Sequence, residues 1–132
     1  MFSLDVDGID YWLWESLTIV RPRVVILEAV AFWESEKSVS IPYIHNFNRF
    51  DKHLDYMGAS IPAFIKLGKQ KGYRLVACNR YGFNLMFIRN DIGKEQLPEI
   101  DVKDCFHFLP KRLEEIRNKR LSNVIKYKWV EV

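Results

Sequence analysis

The chain is poor in the residues that most often announce a function. Two cysteines, Cys78 and Cys105, are too far apart and too lacking in histidine company to match a zinc-ligand spacing. Without a leader-like segment, two thiols fit a reducing cytosol and no disulfide, so the expected location is cytoplasmic. Only three histidines occur, His45, His53 and His107, all isolated, and no Ser-His-Asp order or activated cysteine can be assembled. The six glycines are scattered: Gly58, Gly68 and Gly72 form no phosphate-cradling fingerprint after a strand. No apolar run approaches the roughly 18 residues of a membrane span, so no membrane role is expected. Charge is also nearly balanced, at +3 from 20 Lys plus Arg against 17 Asp plus Glu, too small an excess to argue for nucleic acid.

What is present is apolar and aromatic. Hydrophobic residues make up 48% and aromatic residues 14% of 132 positions, enough for one globular domain with a single core. The basic residues are bunched late, at Lys111, Arg112, Arg117, Lys119, Arg120, Lys126 and Lys128. A solvated helix face is the leading reading of that cluster, ahead of an anionic partner.

The organising stretch is Phe2 to Glu15. Phe2, Leu4 and Val6 read as a strand whose continuous apolarity predicts cover on both faces, and Trp12, Leu13 and Leu17 fall on a helix face over about 10–17. Gly8 marks the turn between them, where a missing Cβ permits a sharp bend or a close approach. Asp5 and Asp7 therefore stand at the carboxyl end of a strand, where open α/β sheets bind ligands. A second strand over 23–30 carries Val24, Val25 and Ile26 and reaches Glu28.

Residues 31–57 hold no sustained period and read as an irregular, lid-like insertion. Its Phe32, Trp33, Tyr43, Phe47, Phe50 and Tyr56 are expected either to cover a pocket or merely to staple the loop, with equal weight. Ser60 opens a helix that tolerates Pro62 in its first turn and stops at Gly72. Tyr73 to Asn79 and Phe83 to Arg89 form an antiparallel hairpin, with Asn79 and Asn84 beside its turn. A basic extension over 92–132 contains a helix from Pro110 to about Leu121, with Leu113, Ile116 and Leu121 on one face. After it, Ile125, Tyr127 and Trp129 alternate with Lys126 and Lys128 as a half-buried strand over 124–132 would.

Asp5-Val6-Asp7-Gly8-Ile9-Asp10-Tyr11-Trp12, then Arg21-Pro22-Arg23-Val24-Val25-Ile26-Leu27-Glu28, Ile41-Pro42-Tyr43, Gly58-Ala59-Ser60, Leu67-Gly68-Lys69-Gln70-Lys71-Gly72-Tyr73 and Gly82-Phe83-Asn84-Leu85-Met86-Phe87-Ile88-Arg89-Asn90-Asp91 together resemble the second half of the FkbM-type methyltransferases. These are class I, S-adenosylmethionine-dependent enzymes, and the resemblance covers about the first two thirds of the chain. It implies an α/β, Rossmann-like sheet of which this chain is the C-terminal half only, parallel strands followed by an antiparallel hairpin. It further implies O-methylation of a small molecule or sugar, with S-adenosylmethionine as cofactor. Asp7 and Asp5 are the implied catalytic residues, Asp7 as general base and Asp5 as a polar anchor also facing the cofactor. Glu28, Tyr43 and Asn84 are the implied acceptor-binding residues. No metal is expected, although Asp5, Asp7 and Glu28 are oxygen ligands of a kind that hard cations accept. Asp10 reads as a helix cap.

Because the family's glycine-rich donor turn has no counterpart here, the chain is expected to need an N-terminal half encoded separately, or a second copy, beside its first strand. The C-terminal strand folding back is the third way of covering that edge. The alternative function is a non-catalytic interaction module, an oligomerising remnant of a methyltransferase.

Overall fold

The computed structural model describes residues 1–33, 35–106 and 111–132, with no side chains described for 111–113. His107 and Pro110, and the side chain of Leu113, lie outside the described residues. Four strands make the main sheet: β1 (Phe2–Leu4), β2 (Val24–Glu28), β4 (Tyr73–Cys78) and β5 (Asn84–Arg89), in the order β1-β2-β5-β4. β1 and β2 are parallel, and β5 runs against both β2 and β4. The second arm of the hairpin is thus inserted between two strands of the opposite direction, giving a mixed α/β sheet.

The period-2 pattern decides which face is covered. Val25, Leu27, Leu85 and Phe87 are buried, while Ile26 and Met86 between them are only partly so. Helices α1 (Asp10–Ser16) and α2 (Ile61–Gln70) cover the buried face. Trp14 is its centre, 1% exposed, with Phe87, Tyr73 and Phe64 at ring separations of 5.2, 5.9 and 6.3 Å. Gly68 lets α2 come this close: a Cβ there would stand 3.0 Å from the Phe87 ring and 3.2 Å from Trp14. Ser60 caps α2, its hydroxyl accepting from the Ala63 N–H, and Pro62 occupies the first turn, where its missing N–H costs nothing.

A smaller region lies beside the sheet. Strand β3 (Val39–Ser40) pairs antiparallel with β6 (Val130–Glu131), and helix α3 (Lys111–Val124) leads back towards it. Phe32, Trp33, Ile41, Tyr56 and Val124 are buried together, with Tyr127 and Trp129 packed against them. The insertion is therefore not wholly irregular: it holds β3 and a 3-10 turn at Arg49–Asp51. Of the two readings of its aromatics, stapling prevails for Phe32, Trp33 and Tyr56, which are core residues of this region.

Three expectations are corrected. β1 is not covered on both faces: Phe2 and Leu4 are half-buried and Ser3 is exposed, because β1 is an edge strand with a neighbour on one side only. The C-terminal strand does not fold back onto that edge but pairs with β3. Nor does a strand span 124–132. The helix runs on to Val124, whose side chain is buried, and Ile125 N–H still donates to Leu121 at 2.9 Å, so burial of Val124 outweighs the alternating pattern. No helix among the described residues is long and apolar enough to cross a membrane.

Candidate functional site

β1 and β2 are parallel neighbours, so their carboxyl ends lie side by side. That brings Asp5, Asp7 and Glu28 together, with one carboxylate oxygen of each within 4.8 Å of the others. The turn that holds the first two is built by Asp10. Its carboxylate, 1% exposed, accepts from the N–H groups of Val6 and Gly8 at 3.0 Å each. Asp10 was expected as a helix cap; it instead anchors the preceding turn, and Ile9 holds the N-cap position without a side-chain bond.

Asp7 adopts φ 54°, a left-handed conformation that aspartate tolerates better than most residues. Gly8 serves the close approach anticipated for it, but to the chain itself. A Cβ at Gly8 would lie 2.6 Å from Phe47 Cδ1, and the Gly58 N–H donates to the Gly8 carbonyl at 2.7 Å. From the same insertion Arg49 forms an ion pair with Asp7. The lid segment is thus seated on the acidic turn by the Phe47 ring and the Arg49 ion pair, with the Gly58 backbone bond immediately after it.

Burial, then the charges of Asp5 and Asp7, a hydrogen bond with Asp5 and the charge of Asp10 push the Glu28 carboxyl up from 4.5 to about 7. A carboxyl poised there exchanges a proton near neutral pH, the property general acid–base work needs.

Beside these acids lies a cavity of about 320 Å³, within the range of about 300–1,000 Å³ typical of small-molecule sites. Asp7, Glu28 and the backbone that continues β2 from Ala29 to Phe32 form one side of its lining. Arg49, Leu54, Asp55 and Met57 come from the insertion, Tyr81 and Phe83 from the hairpin turn, and Ile116, Arg117 and Arg120 from α3. Arg120 pairs with Asp55 at 3.1 Å, tying α3 to the lid. Tyr81 and Phe83 are stacked, with centroids 6.0 Å apart and planes within 10°.

Of the sequence-derived candidates, Asp7 and Glu28 line the cavity and Asp5 stands beside them. Tyr43 is 57% exposed and outside the lining. Asn84 faces Glu28 across the β2–β5 ladder yet is also outside it. Sequence reasoning missed Arg49, Asp55, Tyr81 and Arg120 as site residues. Each sits in a segment without periodicity or on a solvated helix face, and only the pairing of Tyr81 with Phe83 around Gly82 carried a local signal.

Asp5 and Asp7 are exposed, and among the described residues the outer edge of β1 has no neighbouring strand and no glycine-rich turn lies against it. Cys78 and Cys105 are free but adjacent: a hydrogen bond with Cys78, after burial, raises the Cys105 thiol above its ordinary value. No family model, no curated protein and no solved structure matches the chain.

Proposed function

We propose that the chain is the acceptor-side half of an S-adenosylmethionine-dependent O-methyltransferase of FkbM type, with the donor held by protein that pairs with the open edge of β1. The observation that carries this reading is the convergence of Asp5, Asp7 and Glu28 at the carboxyl ends of two adjacent parallel strands, beside a cavity of small-molecule size. The order strand, helix, strand, lid, helix, hairpin and the motif resemblance support it.

In this reading the cavity binds and orients the acceptor, and its own residues handle the proton. Glu28 takes over the role of base expected of Asp7. Its carboxyl, pushed to about 7, accepts a proton from an acceptor hydroxyl, whereas the Asp7 carboxylate is engaged by Arg49 and holds the lid. Asp5, hydrogen-bonded to Glu28, keeps that carboxyl oriented. Positioning the hydroxyl against the base converts an encounter between molecules into a step within one complex.

Titration with S-adenosylhomocysteine, followed by backbone amide NMR, tests the proposal. Weak, millimolar binding that shifts the amides of residues 5–8 and 28–30 is expected of a site with one wall. Micromolar affinity would overturn the claim of an incomplete donor site. Shifts confined to other regions, or none up to the solubility limit, would overturn the methyltransferase reading and leave the interaction module, for which the unpaired edge of β1 is the supporting feature.

A further inference from the structure

Away from the acidic turn, the two cysteines form a second cluster of reactive groups. Cys78 ends β4, and Cys105 ends a short 3-10 helix, Val102–Cys105. The topology brings them together: the Ile100 N–H donates to the Leu75 carbonyl at 3.0 Å, so the chain from Ile100 onward runs beside the end of β4. It arrives over the hairpin turn, where a Cβ on Gly82 would stand 2.9 Å from the Cys105 carbonyl oxygen. There the Cys105 thiol is hydrogen-bonded with Cys78. Their surroundings differ, since Cys105 is 3% exposed within the main core and Cys78 is only partly buried. Among the described residues they belong to no cluster of three or more metal-ligating side chains, which leaves their chemistry with each other.

We infer that Cys78 and Cys105 are a reversible oxidation site, a dithiol that a hydroperoxide converts into an intramolecular disulfide, and that the change is passed to the hairpin turn lining the cavity. Cys78, the thiol that solvent reaches, meets the oxidant first. Its sulfur attacks one peroxide oxygen, the O–O bond breaks, the other oxygen leaves as water, and Cys78 becomes a sulfenic acid. The Cys105 sulfur then attacks the Cys78 sulfur; the S–O bond breaks and the hydroxyl leaves as water with the Cys105 proton. Two thiols are oxidised by two electrons, which the peroxide takes up. Burial and the Cys78 neighbour favour the protonated form of Cys105, so the second step is the slower one. β4 is held by its ladder with β5, whereas the 3-10 helix has no ladder, so closing the sulfurs to a bond of about 2 Å moves Cys105 rather than Cys78. The Cys105 carbonyl already rests on Gly82, and its movement displaces the turn that carries Tyr81 and Phe83 into the cavity lining.

The chain is treated with hydrogen peroxide, digested without reductant and mapped by mass spectrometry, while the backbone amides are followed by NMR. The expected product is a Cys78–Cys105 cross-linked peptide that has lost two hydrogens and is restored by dithiothreitol, with shifts at the amides of residues 79–84 and 105. In Cys105→Ala the reaction should stop at a Cys78 sulfenic acid that dimedone captures; in Cys78→Ala, a change at a partly exposed side chain, Cys105 should stay a thiol. The mapping of the unaltered chain decides the site even where the Cys105 variant does not fold. Two thiols that still alkylate after peroxide, a disulfide only between molecules, or oxidation of Cys105 in the absence of Cys78 would overturn the site. A Cys78–Cys105 disulfide that leaves the amides of residues 79–84 in place would overturn its connection to the cavity.

Discussion

The molecule contains two aromatic clusters of similar make-up and different origin. Around Trp14, the rings of Phe64, Tyr73 and Phe87 are delivered by regular elements, one helix or strand each. Around Trp129, the rings of Trp33, Tyr56 and Phe32 lie at 5.2, 5.4 and 6.1 Å, but they come from an insertion and from the end of the chain, with only the short β3–β6 pair as a ladder. Ring chemistry is therefore not what separates a scaffold from an accessory region; the density of backbone hydrogen bonds around the rings is. The candidate site lies where the two meet, taking Asp5, Asp7 and Glu28 from the first and Arg49, Asp55 and Arg120 from the second.

The comparison can be broken most forcefully by truncating the two tryptophans. Trp14→Ala should cost about 3–5 kcal/mol, a large share of the roughly 5–15 kcal/mol that holds a domain of this size together, and should unfold both regions together in urea. Trp129→Ala should cost about 2–3 kcal/mol, since the indole is only partly buried and loses its bond to the Val124 carbonyl. Hydrogen exchange should then quicken at residues 39–40 and 130–131 while β2 and β5 stay protected. Equal protection loss in both regions would mean that the distinction between them is false.

A finer test addresses the contact between lid and acidic turn. Gly8→Ala places a methyl group against Phe47 and should destabilise by about 1–3 kcal/mol through overpacking. In a Phe47→Ala background the same change should cost close to nothing, which a double-mutant cycle in urea measures directly. An unchanged cost would show that the strain lies in the turn and not in the lid.

The smallest effect concerns Glu28. Its folded value, about 7, is above the ordinary 4.5, so the carboxyl burdens the folded state only when ionised. Below about pH 4.5 both states are protonated and Glu28→Gln should be neutral. As pH rises through 7 the native protein loses stability that the variant keeps. A fully buried group would account for about 3 kcal/mol; solvent in the open cavity reduces this to about 1–2 kcal/mol. Denaturation at pH 4 and pH 8 reads the difference, and a gain at pH 4 would contradict the assignment.

The acidic part of the site was legible before any coordinates because its cause is local. An apolar run ending in Asp5 and Asp7, and a β-branched run ending in Glu28, already place carboxylates at strand ends. The basic part was not, because Arg49 lies in a segment without a period and Arg120 on a helix face that reads as solvated, and their ion-pair partners, Asp7 and Asp55, are residues far from them in the chain. The same division explains the C-terminus, where Ile125, Tyr127 and Trp129 imitate a strand by alternation while Val124 is claimed by the buried cluster.

By itself the amino-acid order determined the strands and helices on either side of the insertion in the first ninety residues, where helix α2 starts and stops, and which acids share an edge, but not the short β3 and 3-10 turn within the insertion. These depend on neighbours along the chain, through side-chain period, capping and turn chemistry. Only tertiary structure decided that β5 lies between β2 and β4, that β6 seeks β3 rather than β1, and that a lid arginine closes on Asp7. Those outcomes depend on which apolar surfaces meet and which buried polar groups find partners, and the chain leaves both open until it is folded.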